Sequence, residues 1–172
     1  MHFYRDARKK TRGGGISVIF RDCLKVTRAK SSFIPMTFEL LTITLTNKNR
    51  KINLSSIYRP PPSATTQFFE EFNSLCDILE SLPGDHIVMG DFNCPGQPGT
   101  VDTRLSTILV DRGCNQHVSE PTREANLLDL IISFPSNSQL NNSQQEPPGP
   151  PIISSVLSAL CTALKYGINQ RD

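Results

Sequence analysis

Ile87-Val88-Met89-Gly90-Asp91-Phe92-Asn93 begins as three apolar residues and ends in two polar ones spaced two apart. A run this short and this apolar reads as a buried strand. In an extended chain, residues two apart point to the same side, so Asp91 and Asn93 leave the carboxyl end of that strand together. A carboxylate so placed can take a proton from an attacking water, and the neighbouring amide can hold that water or a phosphate. On these residues alone, an Asx-type turn closing the strand is the favoured reading.

Downstream, Pro95-Gly96-Gln97-Pro98-Gly99 reads as a loop, and a short helix is expected from Arg104 to Arg112, stopped by Gly113. After Pro121-Thr122-Arg123, an apolar strand runs from Leu127 to Phe134 and contains a single charge, Asp129. A carboxylate in such a strand costs several kcal/mol unless it is paired or hydrogen-bonded, so Asp129 is expected to have a designated partner.

Upstream, Phe68, Phe72, Leu75 and Leu79 recur at helical spacing within 67–82, with Glu70, Glu71, Asp77 and Glu80 on the other face. Thr65 or Thr66 can cap this helix, the early glutamates suit its positive end, and Pro83-Gly84 ends it. Before it, two alternating runs, Phe38 to Leu45 and Lys51 to Tyr58, flank the polar Thr46-Asn47-Lys48-Asn49-Arg50 and predict a β-hairpin, closed at Pro60-Pro61-Pro62. Tyr58 stands at the end of that hairpin, placed to offer a hydrogen bond in a cleft or to pack. Gly13-Gly14-Gly15 leads into a further alternating strand, Ile16 to Phe20. Strand and helix patterns that alternate in this way argue for an α/β sandwich.

The chain has 172 residues, 37% hydrophobic and 20% charged, enough for one good-sized domain. No apolar run approaches the roughly 20 residues needed to cross a bilayer. The five cysteines are widely spaced and odd in number, and lack any zinc-site pattern, so they read as reduced thiols in a nuclear or cytoplasmic protein. Residues 1–30 hold nine Lys/Arg against two Asp, a net +7 within a chain whose overall charge is +2. Such a basic arm can lie along phosphates or be a solvated terminus. From Asn137 to Pro151 the composition turns to Asn, Ser, Gln, Pro and Gly, too polar to build a core. The expected organisation is a domain over 1–136, a linker over 137–151 and a short apolar tail over 152–172.

Four elements in order carry a resemblance: Arg12-Gly13-Gly14-Gly15-Ile16, Ile57-Tyr58-Arg59-Pro60-Pro61, Met89 to Gly96, and Pro121-Thr122-Arg123 with Leu128-Asp129-Leu130-Ile131. Together they resemble the endonuclease domain of non-LTR (LINE-type) retrotransposon polyproteins, a branch of the endonuclease/exonuclease/phosphatase superfamily. The resemblance implies a four-layer α/β sandwich of DNase I-like type, a divalent metal, usually Mg²⁺, and DNA as partner of a monomeric domain. It assigns Tyr58 to phosphate contact, Asp91 to activation of water and Asn93 to stabilisation of the transition state. Asp129 would orient a catalytic histidine, and Arg59, Thr122 and Arg123 would contact nucleic acid. Two family elements have no counterpart: the metal-binding Glu, expected before residue 1, and the Ser-Asp-His motif, expected after Asp129. No metal ligand is therefore assigned. Glu39, in the hairpin, matches no ligand position, and Asp85-His86 precedes the Asp91 strand and is out of place. An incomplete domain with little or no activity follows as the expectation. The alternatives are a non-catalytic remnant that binds nucleic acid through its basic N-terminus, and a same-fold phosphatase with another substrate.

Overall fold

The computed structural model describes residues 2–6, 15–29, 32–47, 50–61 and 64–135. The expected linker and tail, from 137 onward, lie outside the described residues, as does the hairpin turn at 48–49.

Two sheets face each other. The smaller pairs β1 (His2–Asp6) with β2 (Ile16–Phe20) antiparallel. Among the described residues the larger is six-stranded and mixed, in the order β3 (Lys25–Arg28), β4 (Glu39–Asn47), β5 (Arg50–Tyr58), β6 (Asp85–Asp91), β8 (Asp129–Ser133), β7 (Asn115–Gln116). The expected hairpin is β4–β5. From β5 the chain crosses through α1 (Thr66–Ser81) to β6, which pairs parallel to β5, and β8 then pairs antiparallel to β6. The second helix, α2 (Thr103–Asp111), sits between β6 and β7 in the chain.

Alternation along the strands sends side chains to two cores. On one face Ile57, Val88, Leu130 and Ile132 meet Phe68, Phe72, Leu75 and Leu79 of α1 together with Leu105 and Leu109 of α2. Aromatic edges knit this layer, with Phe68 against Phe38 and Phe72 against Phe92. On the opposite face Ile43, Ile52, Leu54, Ile87 and Ile131 meet Tyr4 and Val18 of the small sheet. The described residues thus form three layers: helices, large sheet and small sheet. The fourth layer of the expected sandwich, a helix over the outer side of β1–β2, has no member among them.

The local signals explain the helices. Thr65 caps α1, its hydroxyl accepting from Phe68 N at 3.3 Å, and Asp102 caps α2, accepting from Arg104 N at 2.8 Å. Glu70 and Glu71 fall beyond the first turn of α1, so they do not serve its positive end as expected. Arg112, just past α2, clamps the two helices together by donating to Asp77 at 2.6 Å and Glu80 at 2.9 Å.

Three strands depart from the sequence reading. β1 takes up the first residues of what reads as a basic arm, and β3 and β7 occupy stretches that carry no strand pattern. Asp85 and His86 belong to β6. Asp85 pairs with Arg50 at 3.6 Å, and buried His86 lies between Asn53 and the Leu82 carbonyl. At the other end of β6, Gly90 is obligatory. Its φ is +138°, and an added Cβ would fall 1.9 Å from the Ile57 carbonyl oxygen across the strand pair.

Candidate active site

The strand register brings the sequence-predicted residues into one row. Tyr58, the last residue of β5, lies beside Asp91, the last of β6, and Asp91 lies opposite Asp129, the first of β8. Neighbours in register share a face. Counting by twos from Leu54, Ile87 and Ile131 puts all three side chains on the face that meets the small sheet.

The row has a fourth member. Glu39, the first residue of β4, is in register with Tyr58. It is half-buried, and its Oε2 is shielded from solvent. Sequence reasoning set Glu39 aside because it matches no family position. The signal was the hairpin itself, since a pairing centred between Lys48 and Asn49 sets Glu39 against Tyr58.

Asp91 is half-buried. Burial pushes its carboxyl above the ordinary carboxylate range, and the charge of Asp129 pushes it the same way. The N–H and side chain of Asn93, together with the charge of Arg123, offset part of this. Asn93 N donates to Asp91 Oδ1 at 3.1 Å, the Asx-type turn expected for the motif, and Asn93 itself takes φ +45°.

Arg59 and Thr122 are both buried and bonded to main-chain groups. Arg59 is 4% exposed, with its guanidinium near the Phe68 ring. Its Nε donates to the Phe92 carbonyl at 2.6 Å and its Nη2 donates to the Asn93 carbonyl. In return Asn93 Nδ2 donates to the Arg59 carbonyl at 2.7 Å. The guanidinium also donates through Nη1 to the Pro60 carbonyl at 3.5 Å, so Arg59 holds the Asp91-Phe92-Asn93 turn to the end of β5. Thr122, 8% exposed, accepts from the N–H groups of Leu128 and Asp129, each at 3.0 Å, and so fixes where β8 begins. Of the three residues assigned to nucleic acid, Arg123 alone is exposed. It sits on a tight turn closed by reciprocal bonds with Asn126.

None of the three histidines serves the row. His86 precedes Asp91 by five residues of strand, roughly 17 Å at the usual rise. His117 bonds Ser133 Oγ at 2.8 Å, and His2 pairs with Asp22. Among the described residues no group of three or more His, Cys, Asp or Glu side chains is gathered closely enough to hold a metal ion.

No protein-family model matches the sequence, and no curated protein does. Several solved structures share its architecture. The endonuclease domain of TRAS1, a telomere-specific non-LTR retrotransposon, superimposes with a TM-score of 0.58 at 15% identity, over 77% of this chain and 66% of that one. TDP2 of D. rerio, complexed with a single-strand DNA product, gives 0.57 at 13% identity over 81% of this chain and 64% of that one. A D. rerio TDP2 humanized by 14 mutations gives 0.53 at 16% identity, over 86% and 63%. The chain therefore spans less than two thirds of the length of these structures. At such identities the likeness concerns the fold alone, an α/β fold of DNase I-like type.

Proposed function

We propose that Tyr58, Asp91, Asn93 and Asp129 are part of a phosphodiesterase site for DNA, of the kind found in non-LTR retrotransposon endonucleases, and that this chain by itself turns over little or no DNA. The observation that carries the reading is the Asp91–Asp129 pair facing across two strand ends, with the Tyr58 phenol in the same row. Two structures of the same fold give it direction, one an endonuclease domain and one complexed with a DNA product.

In this reading Asp91 is the base that takes the proton of the attacking water. Its half-buried setting makes the ionised carboxylate a stronger proton acceptor than a free one. Asn93, fixed by Arg59, stands beside the reacting phosphate, and Tyr58 donates its phenolic proton to a phosphate oxygen. Such nucleases commonly use a divalent cation to neutralise phosphate charge. Mg²⁺ wants octahedral oxygen ligands around one or two carboxylates. The carboxylates of the row are not gathered into a three-ligand group, so the described residues do not complete such a site, and no step is assigned to the ion.

The test is a plasmid-nicking assay in Mg²⁺ and in Mn²⁺, run beside DNA binding measured across a salt series. The expected result is salt-sensitive binding with nicking no faster than in Asp91→Ala. Nicking that disappears in Asp91→Ala would refute the low turnover while supporting the site. Absence of DNA binding at every salt concentration would refute the substrate.

A further inference from the structure

The segment that enters β4, Phe33-Ile34-Pro35-Met36-Thr37-Phe38, has two anchors and an outward bend. Phe38 is buried in the helix-side core and Phe33 is packed against it. Between them Ile34 is 83% exposed and Met36 85%, the two most exposed large apolar side chains among the described residues. The bend is held in place from α1. Glu71 Oε2 accepts from Met36 N at 3.0 Å, Thr37 N at 2.9 Å and Thr37 Oγ1 at 2.7 Å, while Gln67 donates to its other oxygen at 2.8 Å. Burial pushes the Glu71 carboxyl up, but the bonds from Thr37, Gln67 and Met36 outweigh it and leave it below the ordinary range. The carboxylate is thus ionised at neutral pH, and the loop is clamped by a charged acceptor.

Three residues beyond Met36 is Glu39, first in the row that contains Tyr58, Asp91 and Asp129. Three residues reach at most about 11 Å, so the apolar bend stands at the same end of the large sheet as the row, on its helix side. Two projecting side chains are too small for a flat protein interface, whose apolar patches run to several hundred Å². They have the shape of a point intrusion, and Ile, Met and Pro are among the side chains that proteins drive between base steps.

We propose that Ile34-Pro35-Met36 is a rigid apolar wedge that enters a base step of duplex DNA whose backbone lies on the Asp91–Asp129 row. The proposal rests on the phosphodiesterase reading above and adds to it a second point of attachment, on the bases. The wedge opens the stack and bends the duplex, and the bend carries a phosphate towards the row.

The probe is a short duplex carrying 2-aminopurine, whose emission rises when it is unstacked, titrated with the full chain. Binding of the native chain should raise the emission severalfold. The double variant Ile34→Ser/Met36→Ser should abolish the rise and weaken binding by on the order of tenfold. Its salt dependence, which counts phosphate contacts, should be unchanged. Both positions are exposed, so the variant should melt like the parent. Glu71→Gln, which keeps the side chain's shape but loosens the clamp, should give an intermediate rise. Salt-sensitive binding without an emission change, or an equal rise in the double variant, overturns the wedge and leaves the phosphodiesterase reading standing. No binding of the duplex at any salt concentration overturns both.

Discussion

Arg59 and Asn93 hold each other by their main chains: the guanidinium of Arg59 donates to the Asn93 carbonyl, and the Asn93 side-chain amide donates to the Arg59 carbonyl. The pair spans two adjacent strand ends and fixes the residue that has to adopt φ +45° beside Asp91. Removing the guanidinium leaves buried carbonyls without donors. Arg59→Ala should therefore cost about 2–4 kcal/mol, read as a lower urea midpoint with unchanged slope. Arg59→Lys, which keeps a charge but not the fork, should recover less than half of the loss.

Asp91 should make the protein less stable at neutral pH than its asparagine variant. Its folded carboxyl titrates above the unfolded one because burial and Asp129 oppose its charge. The folded state then binds more protons, so stability falls as pH rises through the interval between the two values, and the penalty is absent below the unfolded value. Asp91→Asn should raise stability at pH 7, at the low end of roughly 0.5–2 kcal/mol, because a half-exposed carboxylate is screened by solvent. The gain should vanish on acidification through the ordinary carboxylate range. Urea midpoints of both proteins across pH test this, and a gain that persists in acid would point to packing rather than charge.

Gly90→Ala should abolish folding. The new Cβ meets the Ile57 carbonyl in the middle of the sheet, where no flexible side chain can give way, and φ +138° is strained for any other residue. A loss above roughly 4 kcal/mol is expected, seen as the absence of a cooperative melt.

Thr122→Val removes the acceptor for two N–H groups while keeping the side chain's size. The expected loss is about 1–3 kcal/mol, with faster amide exchange at Leu128 and Asp129, whereas Thr122→Ser should retain most of the protection. Exchange that is unchanged in the valine variant would mean that the hydroxyl does not hold the start of β8.

The sequence discloses the parts of this fold that are long and periodic. The β4–β5 hairpin and α1 follow from alternation and from the Phe68-Phe72-Leu75-Leu79 stripe, because each element buries one face along most of its length. β1, β3 and β7 leave no such trace: they have five, four and two residues, too few for a readable period, and are held extended by the strands they pair with. The candidate site divides in the same way. Asp91 and Asn93 are legible as a polar end to an apolar strand, and Glu39 becomes legible once the hairpin is paired. The roles of Arg59 and Thr122 are not, since a polar residue next to a motif looks alike whether it faces a phosphate or a carbonyl. What distinguishes the two is a partner more than thirty residues away in the case of Arg59.

The taper of the large sheet has a consequence for how the protein behaves in a crowded solution. Among the described residues one border is the four-residue β3, with Lys25 and Arg28 at its ends, and the other is the two-residue β7. A foreign strand seeking to extend the sheet would find a short charged ledge on one side and two residues' worth of bonding on the other. The long central strands, which would make good templates for ribbon growth, are enclosed by their own neighbours.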